Sequence, residues 1–263
     1  MSGSTSGVSA GTMYALYAKN EQSYVTKFEG YDPTTKAAIA YFQKQAPKIT
    51  TPAALLKDYK SLQVVLGAFG MSSSIGSTAL LKQLMTQDPN SSSSLAQRMG
   101  NPTYLRFAKF MSQWNPPALS DAATVKVIVN GYATTSFETS QDSQNPGLQA
   151  ALYFKRIAGS VTTIQGIMSD PTLTTVVRVA AGLPTQFGML DYAQQVPILS
   201  KAVDVKKLQD PKYVDQVVQR YLAQNQPDTS ASATGVLGLF NGGTSGSDLI
   251  GTIFAGSLLS TTA

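Results

Sequence analysis

The chain has 263 residues, a net charge of +5 and a hydrophobic fraction of 43%, enough apolar material for one large or two modest cores. It contains neither cysteine nor histidine, which excludes disulfides, thiolate nucleophiles, zinc–sulfur sites and histidine general bases. Charged residues make up 13% of the chain, against about 25% in typical proteins, so Ser, Thr, Gln, Asn and Gly supply most of its polarity.

The N-terminal part of the chain predicts a short leader followed by helices. Residues 1–11 are rich in Gly, Ser and Thr and are predicted to be a flexible leader. From Thr12 to Gly30, apolar residues recur at helical spacing, and Asp32-Pro33 then opens a second helix that runs to about Ala46. The apolar positions of the first helix are Met13, Leu16, Tyr17, Tyr24 and Phe28.

Asp-Pro and Asn-Pro pairs mark the starts of several helices. The side-chain oxygen of the first residue can accept from the free N–H groups of the first turn, and proline has no N–H to satisfy. The capping residues and prolines predicted for this role are Asp32, Asn101, Pro102, Asp170, Pro171, Asp210 and Pro211. We assign these carboxylates to helix capping and not to catalysis.

Apolar stripes predict further helices between these pairs. They cover residues 51–57, 62–69, 77–87, 148–157 and 191–202. Gly70 is the expected C-cap of the helix over 62–69. Pro197 is expected to interrupt or kink the helix over 191–202.

The segment over residues 118–147 fits two structures. Val125, Ile128, Val129 and Tyr132 have the spacing of a helix, whereas Val125, Val127 and Val129 before Asn130-Gly131 would fit a hairpin. The helix is favoured because no second strand of matching quality follows the turn.

The whole pattern predicts an all-α fold, a multi-helix orthogonal bundle with weak internal duplication and flexible Gly/Ser-rich termini. The helical domain covers residues 12–225. It fits a division into two pseudo-repeats, about 12–117 and 118–225, because a Phe-Gly-Met sequence precedes a helix start in each half. Residues 226–263 form a Gly/Ser/Thr-rich tail. Its short amphipathic segment contains Leu249, Ile250, Ile253, Phe254 and Leu258.

The two terminal amphipathic segments are the candidate interaction sites. Each could dock on its own core, or pair with the other segment or with a neighbouring subunit. Flexible polar stretches at both ends favour the intermolecular alternative. The interaction residues under this hypothesis are Met13, Leu16, Tyr17, Tyr24, Phe28, Leu249, Ile250, Ile253, Phe254 and Leu258.

No pattern in the sequence predicts catalytic, cofactor or metal chemistry. The acids show no paired spacing, and a serine nucleophile would lack a histidine base. The twenty Lys and Arg residues are scattered, with Lys155-Arg156 and Lys206-Lys207 the only adjacent pairs, so no nucleic-acid partner is expected. No apolar run approaches a membrane span, and the N-terminus lacks the features of a cleaved signal peptide.

Several ordered motifs resemble one family. They are Asp32-Pro33 to Ile49-Thr50, Ala68-Phe69-Gly70, LAQRMGNPTYLRFAKF (95–110), LQAALYFKR (148–156), IMSDPTLTTVV (167–177), AAGLPTQFGMLDYAQQVPIL (180–199) and LQDPKYVDQVVQRYL (208–222). In this order they resemble the bacterial domain-of-unknown-function family 1217, whose members are often encoded among flagellar genes. Residues 112–147 match the family poorly, and the tail after 226 lies outside the shared region.

The resemblance implies an α-helical fold and a flagellum-linked role, with no established catalytic residues. We therefore expect a non-enzymatic structural or assembly protein of the bacterial flagellum, exported without a cleaved signal peptide. Its expected partners are flagellar proteins or copies of itself. The alternative is a cytoplasmic helical export chaperone or regulator that binds a flagellar client.

Overall fold

The computed structural model describes residues 8–225. Within that range it contains thirteen α-helices and six short 3-10 helices, and no β-strand, so the predicted all-α class is confirmed. The α-helices are α1 (Ala10–Tyr31), α2 (Pro33–Gln45), α3 (Pro52–Lys57), α4 (Tyr59–Phe69), α5 (Thr78–Thr86), α6 (Leu95–Met99), α7 (Pro102–Met111), α8 (Ala122–Asp142), α9 (Leu148–Ile157), α10 (Ile164–Met168), α11 (Pro171–Ala180), α12 (Tyr192–Ala202) and α13 (Pro211–Gln224).

The first helix begins earlier than predicted and is divided in two. It starts at Ala10 because Ser9 is its N-cap, with Ser9 Oγ accepting from the Thr12 amide at 3.2 Å. The predicted leader therefore extends too far into the helix. Asn20 has φ −155° and ψ 53°, which are not helical values, and it separates residues 10–19 from residues 21–31. We call residues 10–19 the N-terminal arm.

Asp32, Asn101, Asp170 and Asp210 all occupy N-cap positions, each followed by its proline at the first helical residue. Asp32 Oδ2 accepts from the Thr35 amide at 2.7 Å. Each of the other three accepts from the amide two residues on, at 2.9 to 3.0 Å. The local chemistry that starts these helices is therefore the same at all four sites.

The segment that fitted either a helix or a hairpin is α8, a helix of 21 residues. Asn130-Gly131 lies inside it and makes no turn. Gly131 is needed for the crossing with α4, because a Cβ there would lie 2.8 Å from the Ala68 carbonyl oxygen. On the other side, a Cβ at Gly67 would lie 2.7 Å from the Tyr132 ring. The glycine that suggested a hairpin turn instead lets two helices approach closely.

The helices differ strongly in how much of each is buried. α4 buries eight of its eleven residues, and it packs mainly against α8 and α2. α12 also has eleven residues but buries only Leu199, and it contacts α10 and α11 at the edge of the domain. Pro197 lies inside α12, which continues to Ala202. The core is therefore built on the central helices, and α12 is peripheral.

The short helices α6 and α10 were not predicted. Each has five residues, which is too short to show a helical period in the sequence. None of the helices in residues 8–225 has the length and apolarity needed to cross a membrane.

Candidate functional site

A polar recess of about 600 Å³ opens among α2, α4, α8 and α9. Short hydroxyl and amide side chains form most of its wall, among them Thr34, Gln63, Ser136, Thr139 and Gln149. Neither lysine nor arginine is among the lining residues. The recess is therefore suited to neutral hydrogen-bonding groups and offers an anion no positive charge.

The two acids that line this recess, Asp32 and Glu138, are already hydrogen-bonded to other groups of the chain. Asp32 caps α2 through the Thr35 amide. Glu138 is paired with Arg156, as described next. Within residues 8–225 there is no group of three or more Asp or Glu residues that could hold a metal ion. The arrangement can form hydrogen bonds but presents no paired carboxylates for acid–base chemistry.

The centre of the domain contains a buried ion pair between α8 and α9. Arg156 donates to both carboxylate oxygens of Glu138, from Nη2 at 2.8 Å and from Nε at 3.1 Å. Only 1% of the Glu138 side chain is exposed, against 22% for Arg156. Burial disfavours the charge of Arg156, but Glu138, with smaller contributions from Tyr153 and Glu21, raises the pKa of Arg156 overall. Burial raises the pKa of Glu138, and Arg156 opposes that shift.

Arg106 of α7 adds a second cation near this pair. Its Nη2 donates to the Phe69 carbonyl at 3.1 Å, and the guanidinium lies 5.5 Å from the centre of the Phe69 ring. Burial, followed by the neighbouring charge of Arg156, lowers the pKa of Arg106. These contacts connect α7 to the end of α4.

Glu21 of α1 is another acid whose pKa is raised by its surroundings. It is half-buried, and its Oε1 is buried with no hydrogen-bond partner among the described residues. Burial first, and then the charge of Glu138, raise the pKa of Glu21 to about 7, while Arg156 and Lys155 act in the opposite direction. Sequence reasoning missed this residue. The available signal was its spacing, four residues after Tyr17 and four before Val25 on the buried side of α1.

A second group of buried polar residues joins the starts of α7 and α11. Asn101 Nδ2 donates to the Ser169 carbonyl at 2.7 Å, and the Ser169 hydroxyl donates to the Gly100 carbonyl at 3.2 Å. The two segments are therefore linked in both directions. The sequence predicts the caps of these helices but not this connection between them.

Tyr153 of α9 completes this connection. Its hydroxyl donates to Asp170 Oδ2 at 2.6 Å and lies 2.7 Å from Thr103 Oγ1. Burial, with the nearby Asp170, raises the pKa of Tyr153 above its usual value, so the hydroxyl stays protonated. We call Asn101, Thr103, Tyr153, Ser169 and Asp170 the polar clasp. Its members are buried or half-buried and bonded to one another, which indicates a structural role.

The residues predicted for interaction in α1 lie in different environments. Tyr17 and Phe28 are buried, and both contact the ring of Phe137 edge-on, at 5.0 and 5.9 Å between centroids. Met13 and Tyr24 are half-buried, and Leu16 is 45% exposed. In this structure α1 therefore docks on its own chain, and an intermolecular role for it stays a prediction. Leu249, Ile250, Ile253, Phe254 and Leu258 lie outside the described residues.

Large apolar side chains are also exposed at the edge of the domain, and sequence reasoning did not select them. Met189 is 85% exposed and Tyr192, at the start of α12, is 58% exposed. We call Met189 and Tyr192 the edge patch. It lies next to the least buried of the longer helices, so a contact made there would not disturb the core.

These features define a class of protein, an all-α helical bundle whose buried acids are largely paired or capping. Comparison with known families identifies it further. The model of the family described as "Protein of unknown function (DUF1217)" matches residues 68–214, more than half of the chain, and the chain belongs to that family. The resemblance noted from the ordered motifs is thereby confirmed.

One solved structure supports the fold. It is the crystal structure of protein AGR_C_984 from Agrobacterium tumefaciens, a structural-genomics target, with a TM-score of 0.70 and 20% sequence identity. The alignment covers 81% of this chain and 91% of the other. At this identity the likeness supports the fold alone. No curated protein matches the chain.

Proposed function

We propose that this protein is a non-enzymatic, flagellum-associated structural or assembly protein that acts through contacts between helices. The flagellar part of the proposal comes from the family, whose members are often encoded among flagellar genes. The non-enzymatic part is supported by the chemistry of the site. Glu138 is bonded to Arg156, and Asp170 is enclosed in the polar clasp, so these buried acids are committed to holding helices together.

The observation that carries the proposal is the edge patch beside α12. Met189 and Tyr192 expose most of their surface, whereas α12 itself buries only Leu199. Met189 and Tyr192 are three residues apart in the chain, and exposed large apolar side chains at a peripheral position can mark a contact surface. Burial of a few hundred Å² at about 25 cal/mol per Å² would supply several kcal/mol to an assembled state.

The terminal segments are the second element of the proposal. The α1 residues Met13 and Leu16, and the tail segment with Ile253 and Phe254, stay the predicted contacts with flagellar proteins or with copies of the same chain. Contacts of α1 with a partner would first require α1 to leave its own chain, so they would be weaker than the buried area suggests. A free subunit would then stay soluble until it meets its partner.

Fractionation of the cell that makes this protein tests the proposal. Flagella are sheared from the cells and hook–basal bodies are purified, and an antibody measures the protein in these fractions and in the lysate. We expect the protein in a flagellar fraction, at a constant ratio to a known flagellar subunit. A protein confined to the cytosol would contradict the proposal.

The alternative is a cytoplasmic export chaperone or regulator, and the polar recess is the observation in its favour. A recess of about 600 Å³ among α2, α4, α8 and α9 has room for several side chains of a client. Under this alternative the protein stays in the cytosol and co-purifies with one flagellar client. Substitution of Ser136 by Trp in the recess would then remove the client, whereas the structural role predicts no effect on flagellar incorporation.

A further inference from the structure

The N-terminal arm is joined to the rest of α1 by one non-helical residue. Asn20 has φ −155° and ψ 53°, so the arm (residues 10–19) and residues 21–31 are two helical segments meeting at a break. Helix breaks of this kind can absorb a change of angle while the segments on either side stay intact. A movement of the arm would therefore not require residues 21–31 to unfold.

The arm is attached through two buried tyrosines and a few polar side-chain contacts. Tyr17 donates its hydroxyl proton to Gln141 Oε1 of α8 at 2.6 Å, and the Tyr14 hydroxyl donates to Asp215 of α13. From α9, Lys155 Nζ donates to the carbonyl of Ala18 at 2.9 Å. Tyr14 and Tyr17 are the buried residues of the arm. The arm buries two of its ten residues, whereas α4 buries eight of its eleven. Since each hydrogen bond contributes only about 0.5–1.5 kcal/mol, the arm is held less firmly than α4.

Glu21 lies directly after the break, in surroundings that do not favour its charge. Its Oε1 is buried with no partner among residues 8–225. The charged groups that act on it are Glu138 of α8 and Lys155 and Arg156 of α9. Arg156 is bonded to Glu138, and Lys155 is bonded to the arm itself. On α13 the charged group that contacts the arm is Asp215, which accepts from Tyr14.

These groups determine how docking of the arm depends on pH. Burial and Glu138 raise the pKa of Glu21 to about 7 in the folded state, above its ordinary value of 4.5. The docked state therefore binds the proton more tightly than a state in which Glu21 is solvated. The stability that this proton contributes is present at low pH and is lost as the pH rises toward and above 7.

We propose that the N-terminal arm is a releasable element, and that ionisation of Glu21 at the break in α1 releases it from α8, α9 and α13. Release uncovers Gln141, Lys155 and Asp215 and frees the amphipathic segment that carries Leu16 and Tyr17. The proposal rests on the proposed function in one respect only, the role of the freed segment, which is to contact other subunits during assembly. The release itself is a property of the isolated chain and is tested on it.

Hydrogen exchange of the full chain, measured by mass spectrometry and corrected for the intrinsic effect of pH, tests the release. Between pH 5.5 and pH 8.5, protection of residues 14–19 should fall by about tenfold or more, because the pKa difference exceeds one unit. Residues 22–30 should keep their protection. Parallel loss of protection in both segments would overturn the proposal, because it would indicate unfolding of the whole helix.

Two substitutions identify the titrating group. Glu21→Gln cannot ionise, so residues 14–19 should stay protected at pH 8.5. Glu29→Gln removes the same charge from the same helix and should leave the pH dependence as in the unmodified chain. Wild-type pH dependence in Glu21→Gln, or its loss in Glu29→Gln, would overturn the assignment to Glu21.

A third variant tests the attachment without altering any charge. Tyr17→Phe keeps the ring and removes only the hydrogen bond to Gln141. Protection of residues 14–19 should then fall severalfold already at pH 5.5, while residues 22–30 are unaffected. Unchanged protection in the arm would overturn the proposal that these polar contacts help to hold it. Neither result depends on flagellar association, so failure of the release and failure of the proposed function are distinguishable.

Discussion

Asp170 and Asp210 start two helices with the same Asp-Pro signal, but their surroundings differ. Asp170 is 4% exposed, and it accepts from the Tyr153 hydroxyl at 2.6 Å as well as from the amides of α11. Asp210 is exposed and accepts from the Lys212 amide at 2.9 Å. The comparison teaches that the local signal determines where a helix begins, whereas the environment determines how much the residue contributes to stability.

The largest effect is expected for Asp170→Ala. The substitution removes the cap, which costs about 0.5–2 kcal/mol, and it leaves the buried Tyr153 hydroxyl without its carboxylate acceptor, which costs about 1–3 kcal/mol. We expect a total loss of about 2–4 kcal/mol in the free energy of unfolding, measured by urea denaturation followed by circular dichroism. Asp170→Asn keeps an acceptor oxygen and should lose less than half as much. A loss for Asp170→Ala no larger than that for Asp210→Ala would show that the clasp adds nothing.

A smaller effect is expected for Tyr153→Phe, which removes one hydroxyl from the polar clasp. Asp170 then keeps its contacts with the α11 amides, and Thr103 Oγ1 lies 3.4 Å from Asp170 Oδ2. Since the hydrogen bonds of this hydroxyl to Asp170 and Thr103 are both lost, stability should fall by about 1–3 kcal/mol. Tyr192→Phe is the matched control on the surface and should change stability by less than about 0.5 kcal/mol. Equal effects of the two substitutions would contradict the role given to the buried hydroxyl.

The smallest effect is expected for Asp210→Ala, where only the cap of α13 is lost. We expect a decrease of about 1 kcal/mol in the free energy of unfolding. Asp210→Ser retains a capping oxygen and should recover most of this loss. No recovery with serine would indicate that Asp210 acts through something other than its hydrogen bond to the first turn.

Much of the fold could be predicted because its signals are local. Helix α9 occupies the same residues, 148–157, that its apolar stripe indicates, and Gly70 ends α4 in the left-handed conformation expected of a C-cap. The four capped helix starts follow from residues that are adjacent in sequence. Periodicity and capping chemistry are properties of a short window, so one sequence is enough to find them.

The polar interior could not be predicted, because its partners are far apart in sequence. Glu138 and Arg156 are 18 residues apart on different helices, and Asn101 reaches Ser169 across 68 residues. No spacing rule connects such pairs before the helices are packed. Gly131 shows a different limit, because here a local signal is misleading. Asn-Gly is typical of hairpin turns, but Gly131 lies inside α8, where it allows the close crossing with α4.

The central claim, that this protein acts through its surface, is tested most directly at the edge patch. Met189→Ser and Tyr192→Ser are introduced together, and both the unfolding midpoint and the amount of protein in the purified flagellar fraction are measured. We predict an unfolding midpoint close to that of the unmodified protein, because neither side chain is buried, and a loss of most of the protein from the flagellar fraction. If the doubly substituted protein were as abundant in that fraction as the unmodified protein, the account would be contradicted.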